Sequence, residues 1–155
     1  MEISEDTQSV SDLIWFAIDV NGFVCSFSSG GGRIPPSVAQ SEETYLKTLN
    51  YFKELEVVSP DYTLSERIKK EAMDAENRGF PLILRDDIKF LKRGITIFDK
   101  SDLSHLGDPY YYRLGIPDFR LHSSMLSHEM RNIVCNTILN NDSKIDEIVD
   151  AYVIQ

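Results

Sequence analysis

Residues 15–32 read WFAIDVNGFVCSFSSGGG, and this stretch decides how the fold begins. Asn21-Gly22 separates two runs rich in aromatic and β-branched residues. Such a dipeptide is the strongest short-range signal for a two-residue hairpin turn, because both central positions of that turn need positive φ. Three glycines then end the second run in a loop that no side chain crowds. We therefore predict an antiparallel hairpin that starts a sheet.

The two arms of this hairpin differ in their hydrophobic pattern. The first, about residues 13–20, is almost continuously apolar, which is typical of a central strand covered on both faces. The second alternates, with Phe23, Cys25 and Phe27 on one side and Val24 on the other. This alternation predicts a strand nearer an edge, with one face in the core.

The composition is that of one globular domain. The chain has 155 residues, of which 42% are hydrophobic and 26% charged. Its apolar runs are far shorter than the ~20 residues of a membrane helix, and acids follow Met1 where a secretory signal would carry bases. We expect one domain over residues 1–155, located in the cytoplasm, with Cys25 and Cys135 as small buried thiols.

The negative charge is concentrated at the two ends of the chain. The net charge is −9; residues 1–12 carry four acids and no base, and residues 141–155 carry four acids and one base. Because affinity for a phosphate backbone depends on clustered Lys and Arg, this balance argues against nucleic acid as a partner. We expect residues 1–10 to form a flexible acidic leader.

Two helices are predicted in the first half of the chain after the hairpin. Either Ser37 or Ser41 can cap the first, near residues 41–56, whose apolar residues recur at helical spacing. Thr63 opens a capping box for the second, near residues 64–78.

The later elements are short. Gly79 is expected to end the second helix, and Pro117 to end a strand over residues 110–116. Residues 145–152 fit a terminal helix, with a strand over 151–154 as the alternative. The other predictions are strands at 80–84 and 95–98, a connector with one helical turn at 85–94, and a short helix near 127–134.

These elements together predict an α+β fold. Its sheet is mostly antiparallel and begins with the N-terminal hairpin. The helices near residues 41–56 and 64–78 pack on one face of that sheet.

The glycine loop at residues 28–33 is the first candidate binding site. Backbone amides that follow a strand, together with a guanidinium, suit a phosphate. A P-loop, however, opens directly into a helix with Lys-Ser/Thr, whereas Pro35 and Pro36 follow here. A close-packed turn or a partner-contact loop is the preferred interpretation, and a small-ligand or phosphate-binding domain or enzyme using this loop is the alternative. The residues concerned are Gly30, Gly31, Gly32 and Arg33.

A tyrosine cluster at residues 110–113 is the second candidate. On a strand, Tyr111 and Arg113 share one face while Tyr110 and Tyr112 share the other. Tyrosine and arginine are enriched at interface hot spots, so we consider Tyr111 and Arg113 candidate partner-binding residues. The alternative is that two of the rings line the core, with their hydroxyls at its rim.

The sequence contains no recognisable catalytic or metal-binding constellation. His128-Glu129 begins like a zinc-protease motif, but Asn132 stands where the second histidine ligand is needed. Cys25 and Cys135 lack the paired spacing of a zinc site. We therefore predict no catalytic residues, no metal and no cofactor, and we expect that the chain is not an enzyme.

Four segments carry a family resemblance: Trp15–Asp19, Asn21-Gly22, Phe27–Gly31 and Pro35–Val38. In this order they resemble the N-terminal segment of small uncharacterised bacterial proteins, several of which look like immunity proteins of toxin systems. The resemblance implies a binding protein that neutralises a cognate toxin domain by occluding it, with no catalytic residues to transfer. Acidic groups would raise the association rate if the toxin is basic. A scaffold protein that self-associates through an exposed strand edge remains a third hypothesis.

Overall fold

The N-terminal hairpin is the first part of a mixed sheet, and the other strands of this sheet come from later segments of the chain. The structure is a computed structural model, and it describes residues 1–77, 85–100 and 109–150. A short 3₁₀ turn covers Ser123–Met125. The helices are α1 (Glu5–Val10), α2 (Pro36–Ala39), α3 (Glu42–Lys53), α4 (Glu66–Asn77), α5 (Arg85–Lys92) and α6 (His128–Val134). The strands are β1 (Ile14–Ile18), β2 (Val24–Ser28), β3 (Tyr62–Leu64), β4 (Thr96–Lys100), β5 (Tyr110–Pro117) and β6 (Ile148–Asp150).

The predicted hairpin is confirmed, but its turn is one residue longer than predicted. β1 and β2 pair antiparallel from Ile14 opposite Ser28 to Ile18 opposite Val24. The turn closes with the Asp19 amide donating to the Phe23 carbonyl at 2.9 Å, so three residues lie between the arms. Only the last of these, Gly22, has positive φ (86°). This is the type I turn with a left-handed glycine that three-residue hairpin loops favour.

The sheet confirms the predicted α+β class. Within the described residues, the strand order is β1-β2-β4-β5-β3, and β6 also pairs with β5. β2 and β4 run parallel, while every other pairing of these strands is antiparallel. The sheet is therefore mostly antiparallel.

The predicted positions of the two hairpin arms are reversed. β1 lies at the end of the strand order, and β2 lies between β1 and β4. β1 is nevertheless apolar throughout because both of its faces are buried, Phe16 and Ile18 in one core cluster and Trp15 and Ala17 in the other. Residues 137–139 also pair with one end of its outer edge. The Ile18 amide donates to the Thr137 carbonyl at 3.0 Å, and the Leu139 amide donates to the Ile18 carbonyl at 2.8 Å. These two bonds occupy the strand edge at Ile18, where self-association through this edge would otherwise find a free amide and carbonyl.

The alternation of side chains divides the core into two clusters, one on each face of the sheet. Phe16 and Val24 point to the first cluster, whereas Trp15, Cys25 and Phe27 point to the second. The first cluster is completed by the helices, through Phe52 of α3, Ile68 of α4, Phe90 and Leu91 of α5, and Met130 and Val134 of α6. The second is completed by Ile3, Ile34, Phe98, Tyr111, Leu139 and Val149.

Ser41 caps α3 as predicted, whereas the predicted cap of α4 is wrong. The Ser41 hydroxyl accepts a hydrogen bond from the Thr44 amide at 3.2 Å. Thr63 lies instead in β3, opposite Ile116 of β5. Because this pairing holds the backbone extended at residue 63, Thr63 does not cap the helix. Ser65 takes the capping position instead, and its hydroxyl is 3.4 Å from the Ile68 amide.

The strands at 95–98 and 110–116 and the helix near 127–134 are confirmed, and two other predictions are corrected. Residues 85–92 form the full helix α5 rather than a connector with a single turn, because Phe90 and Leu91 are buried in the first cluster. Residues 148–150 form β6 rather than a helix, because Val149 is buried opposite Tyr111. Gly79 and the segments 80–84 and 151–154 lie outside the described residues.

No helix within residues 1–77, 85–100 and 109–150 is long and apolar enough to cross a membrane.

Candidate functional site

The acidic N-terminal segment is folded against the rest of the protein. Ser4 caps α1 through its hydroxyl, and Ile3 is buried. The buried Gln8 side chain donates from Nε2 to the Ile3 carbonyl at 2.9 Å and accepts from the Ile34 amide at 3.0 Å. In this structure residues 1–10, expected to be a flexible acidic leader, thus contact the rest of the fold, with Gln8 satisfying backbone groups on two segments at once.

This packing forms a groove of about 480 Å³ between α1 and the segment that follows the glycine loop. Its lining includes Glu2, Glu5, Gln8, Arg33 and Pro36, and we call it the acidic groove. The Arg33 guanidinium lies 3.4 Å from the Glu5 carboxylate, and both side chains are mostly exposed. The described lining thus holds two carboxylates and one guanidinium, which leaves it with a net negative charge.

Two backbone amides of the glycine loop already have hydrogen-bond acceptors within the protein. The Gly30 amide donates to the Asp12 carboxylate at 2.9 Å, and the Gly32 amide donates to the Ser29 carbonyl at 2.9 Å. Gly30 and Gly31 have positive φ of 56° and 83°. An anion at the Gly30 amide would have to displace Asp12, so this geometry supports the turn or contact-loop interpretation over a phosphate site.

Tyr111 is fully buried, and it cannot belong to a contact surface in this fold. Its ring meets Trp15 and Phe27 edge to face, with centroids 5.6 and 5.2 Å apart. The interface assignment of Tyr111 is therefore corrected to the core alternative. The reason is the register of β5, which places residue 111 on the second cluster between β4 and β6.

Arg113 forms hydrogen bonds to the C-terminal part of the chain, and little of its side chain is exposed for contact with a partner. Its Nη1 donates to the carbonyl oxygens of Ser143 and Lys144, both at 2.9 Å. Nη2 lies 3.9 Å from the Glu147 carboxylate, and only 15% of the arginine side chain is exposed. Of the six predicted partner-binding residues, Arg33 is exposed and Gly30 and Gly31 are half-buried, whereas Gly32 and Tyr111 are buried and Arg113 is bonded to the C-terminal part of the chain.

Sequence reasoning missed Asp19, whose carboxylate is the most heavily bonded in the described chain. Oδ1 accepts from the amides of Asn21 and Phe23 at 3.0 and 2.9 Å. Oδ2 accepts from the Ser143 amide at 3.1 Å, from the Ser143 hydroxyl at 2.6 Å and from Arg120 at 3.1 Å. The available signal was a carboxylate two residues before Asn21, a spacing typical of an Asx turn.

The hydrogen bonds of Asp19 outweigh its burial. Desolvation alone would raise the pKa of this carboxyl, but the bonds from Ser143, Phe23 and Asn21 together lower its pKa below the ordinary value of 3.8. Asp19 is therefore ionised at neutral pH and acts as a structural acceptor rather than as a general acid.

The remaining nucleophilic and metal-ligating side chains do not converge. Burial raises the pKa of Cys25 to about 12, so its thiol stays protonated at neutral pH. His122 bonds the Asn21 carbonyl and the Ser124 hydroxyl, and His128 lies 3.3 Å from the Asn132 amide group. In the part of the chain that the structure describes, no three His, Cys, Asp or Glu side chains are placed to hold a metal ion.

Comparison with models of known protein families, with curated proteins and with solved structures finds no match to this chain.

Proposed function

We propose that this protein binds a protein partner through the acidic groove, and that the partner is a toxin domain which it neutralises by occlusion in the bacterial cytoplasm. One observation carries the proposal: folding brings Glu2, Glu5 and the contact-loop residue Arg33 to the same groove. The resemblance of the hairpin segment to immunity-type proteins supports the class of partner.

The charge of the groove favours a basic partner. Glu2 and Glu5 line it, and the chain as a whole carries −9. Complementary charge steers diffusional encounter and suppresses the wrong partners, and it contributes more to the association rate than to affinity. A lysine or arginine side chain of the partner would therefore meet a field that attracts it.

The ion pair between Glu5 and Arg33 can exchange when a partner arrives. Both side chains are mostly exposed. Exposed pairs of this kind contribute about 0–1 kcal/mol to stability, so opening the pair costs little. An incoming cation can then take the place of Arg33 beside Glu5, while Arg33 turns to a carboxylate or a carbonyl of the partner.

The direct test first searches the genes next to that of this protein for a secreted protein with a toxin domain, and uses any such domain as the partner. Binding is followed by surface plasmon resonance at low and high salt for wild type and for the double variant Glu2→Gln/Glu5→Gln. We expect the association rate at low salt to fall by about tenfold in the variant and the salt dependence to weaken. The matched control is Glu56→Gln/Asp118→Asn, which removes two exposed acids elsewhere and should leave most of the rate intact.

Co-expression of the two proteins tests neutralisation itself. Wild type should protect cells from the toxin. Arg33→Glu replaces the positive charge of the one cation in the described lining of the groove by a negative charge. This variant should stay folded and should protect cells less well than wild type, because Arg33 no longer meets the partner. Unchanged killing in the presence of wild type would refute the immunity proposal. Equal loss of association rate in the control pair would refute the assignment to the acidic groove.

A further inference from the structure

Asn21 and Gly22 are the last two residues of the hairpin turn. Asn21 is exposed, and Nδ2 of its side chain donates to Oδ2 of Asp142 at 3.1 Å. Its backbone carbonyl accepts a hydrogen bond from Nε2 of His122 at 2.8 Å. The asparagine therefore links the turn to two later segments of the chain, one through its side chain and the other through its backbone.

An asparagine followed by glycine can lose its side-chain amide without an enzyme. The Gly22 backbone nitrogen forms a bond to Cγ of Asn21, and its proton passes through water to Nδ2. The bond from Cγ to Nδ2 then breaks, and ammonia leaves. Water opens the cyclic imide at one of its two carbonyl carbons, which gives aspartate or isoaspartate at residue 21. Glycine hinders the attack least, because it has no Cβ.

The hydrogen bonds of the turn oppose this reaction. The Gly22 amide donates to the Asp19 carbonyl at 3.0 Å, and the Asn21 amide donates to Oδ1 of Asp19 at 3.0 Å. The first bond holds the proton that Gly22 must lose, while Asp142 holds the amide nitrogen that must leave. Asp19 is itself fixed by its ion pair with Arg120. Attack by the Gly22 nitrogen therefore requires local opening of the turn.

We propose that Asn21 is a site of spontaneous deamidation, that the folded turn controls its rate, and that the product breaks the link to Asp142. A carboxylate at residue 21 has no hydrogen to donate to Asp142, and two carboxylates at this distance repel each other. Isoaspartate also inserts a methylene group into the backbone, which alters the contact with His122. The modified protein is therefore less stable. This inference is independent of the acidic groove.

Mass spectrometry of the full chain measures the rate of the reaction. The protein is incubated at mildly alkaline pH, either folded or in guanidinium chloride, and its peptides are then analysed for loss of the amide. We expect Asn21 to react at least about tenfold more slowly in the folded protein, because the reaction waits for the turn to open. Equal rates in the two states would overturn control by the turn.

Asn136 is the internal control for the site itself. It is exposed in the folded protein and precedes Thr137. Because the branched side chain of threonine hinders attack by its amide nitrogen, Asn136 should react far more slowly than Asn21 in guanidinium chloride. Equal loss of the amide at the two asparagines under these conditions would overturn the assignment to Asn21.

Asn21→Asp reproduces one product and tests the consequence for stability. The urea midpoint of this variant should lie below that of wild type, and the loss should be smaller when Asp142→Asn removes the facing charge. Asn136→Asp adds the same charge at another exposed asparagine, and its effect should not depend on Asp142→Asn. An unchanged midpoint in Asn21→Asp, or an equal loss in the presence and absence of the Asp142 charge, would overturn the proposed break.

Discussion

Asp19 and Arg120 are 101 residues apart in sequence and form an ion pair, with Nη2 of Arg120 3.1 Å from Oδ2 of Asp19. The aspartate side chain is fully buried, and 12% of the arginine side chain is exposed. The same guanidinium lies 4.0 Å above the ring of Phe23 and donates to the Ser143 hydroxyl at 2.5 Å. This pair therefore joins the hairpin turn to the segment after β5 and to the C-terminal part of the chain.

We expect Asp19→Asn to destabilise the protein by about 3–5 kcal/mol, because removing one partner of a buried pair leaves the other charge uncompensated. The asparagine amide nitrogen would also face the donors of Ser143 and Arg120 in place of an acceptor. Urea denaturation gives the free energy of unfolding for both proteins.

Asp118→Asn is the control for this measurement. Asp118 is exposed, and its backbone amide, which the substitution leaves in place, donates to the Asp61 carbonyl. Its replacement should change the free energy of unfolding by less than about 0.5 kcal/mol. A loss in Asp19→Asn no larger than that of the control would show that the buried pair contributes nothing net.

The lowered pKa of Asp19 predicts a pH dependence of stability. A carboxyl whose folded-state pKa lies below its unfolded value adds stability that is fully present above the unfolded pKa and is lost as pH falls through the folded pKa. For Asp19 this loss begins near the ordinary value of 3.8 and continues below it. Unfolding free energies of wild type should therefore fall more steeply below this pH than those of Asp19→Asn. Parallel curves for the two proteins would contradict the shift.

The sequence was sufficient where a local pattern and the tertiary contacts agree. The alternation of residues 23–27 correctly assigned Val24 to one face and Phe27 to the other, and Ser41 was a recognisable cap. The sequence was insufficient where contacts between distant segments determine the position of a strand or a side chain. β1 is apolar on both faces, which is typical of a central strand, yet it lies at the end of the strand order, and no local pattern records which strands pair with it.

The acidic groove could not be predicted from the sequence, for the same reason. The composition of residues 1–12 predicts a solvated leader, because four acids outweigh its few apolar residues. The segment folds because Gln8 bonds both Ile3 and Ile34, and because Ile3 enters the second core cluster. These contacts join segments about thirty residues apart, so periodicity within either segment could not reveal the acidic groove.

Replacement by alanine should destabilise the protein to different extents at two glycines that have positive φ. At Gly22 (φ +86°) a Cβ would lie 2.6 Å from the His122 ring, and at Gly94 (φ +84°) it would lie 2.9 Å from the Leu121 backbone amide nitrogen. Both variants carry the backbone strain, about 1–3 kcal/mol. A side chain can move and a backbone cannot, so Gly94→Ala should lose more stability in thermal unfolding.

The histidine contact can be tested separately. His122→Ala removes the ring that a Cβ at residue 22 would meet. In that background Gly22→Ala should cost less stability than in wild type, since the two closest contacts of the new Cβ are gone and the backbone strain and a contact with the Ser123 hydroxyl at 3.3 Å remain. An unchanged cost would mean that the ring already moves aside freely.

Gln8 links α1 to the segment after the glycine loop, so Gln8→Ala should loosen the acidic groove. The change leaves the Ile3 carbonyl and the Ile34 amide without their side-chain partner, and a buried group left unpaired costs about 1–3 kcal/mol. We expect lower stability and faster limited proteolysis within residues 1–12. Gln40→Ala is the control, because Gln40 is exposed and its side chain donates to the Ser37 carbonyl three residues away in the same segment. Since Gln8 carries no charge, a slower association with a basic partner in Gln8→Ala would show that the folded arrangement of Glu2 and Glu5, and not their charge alone, determines recognition.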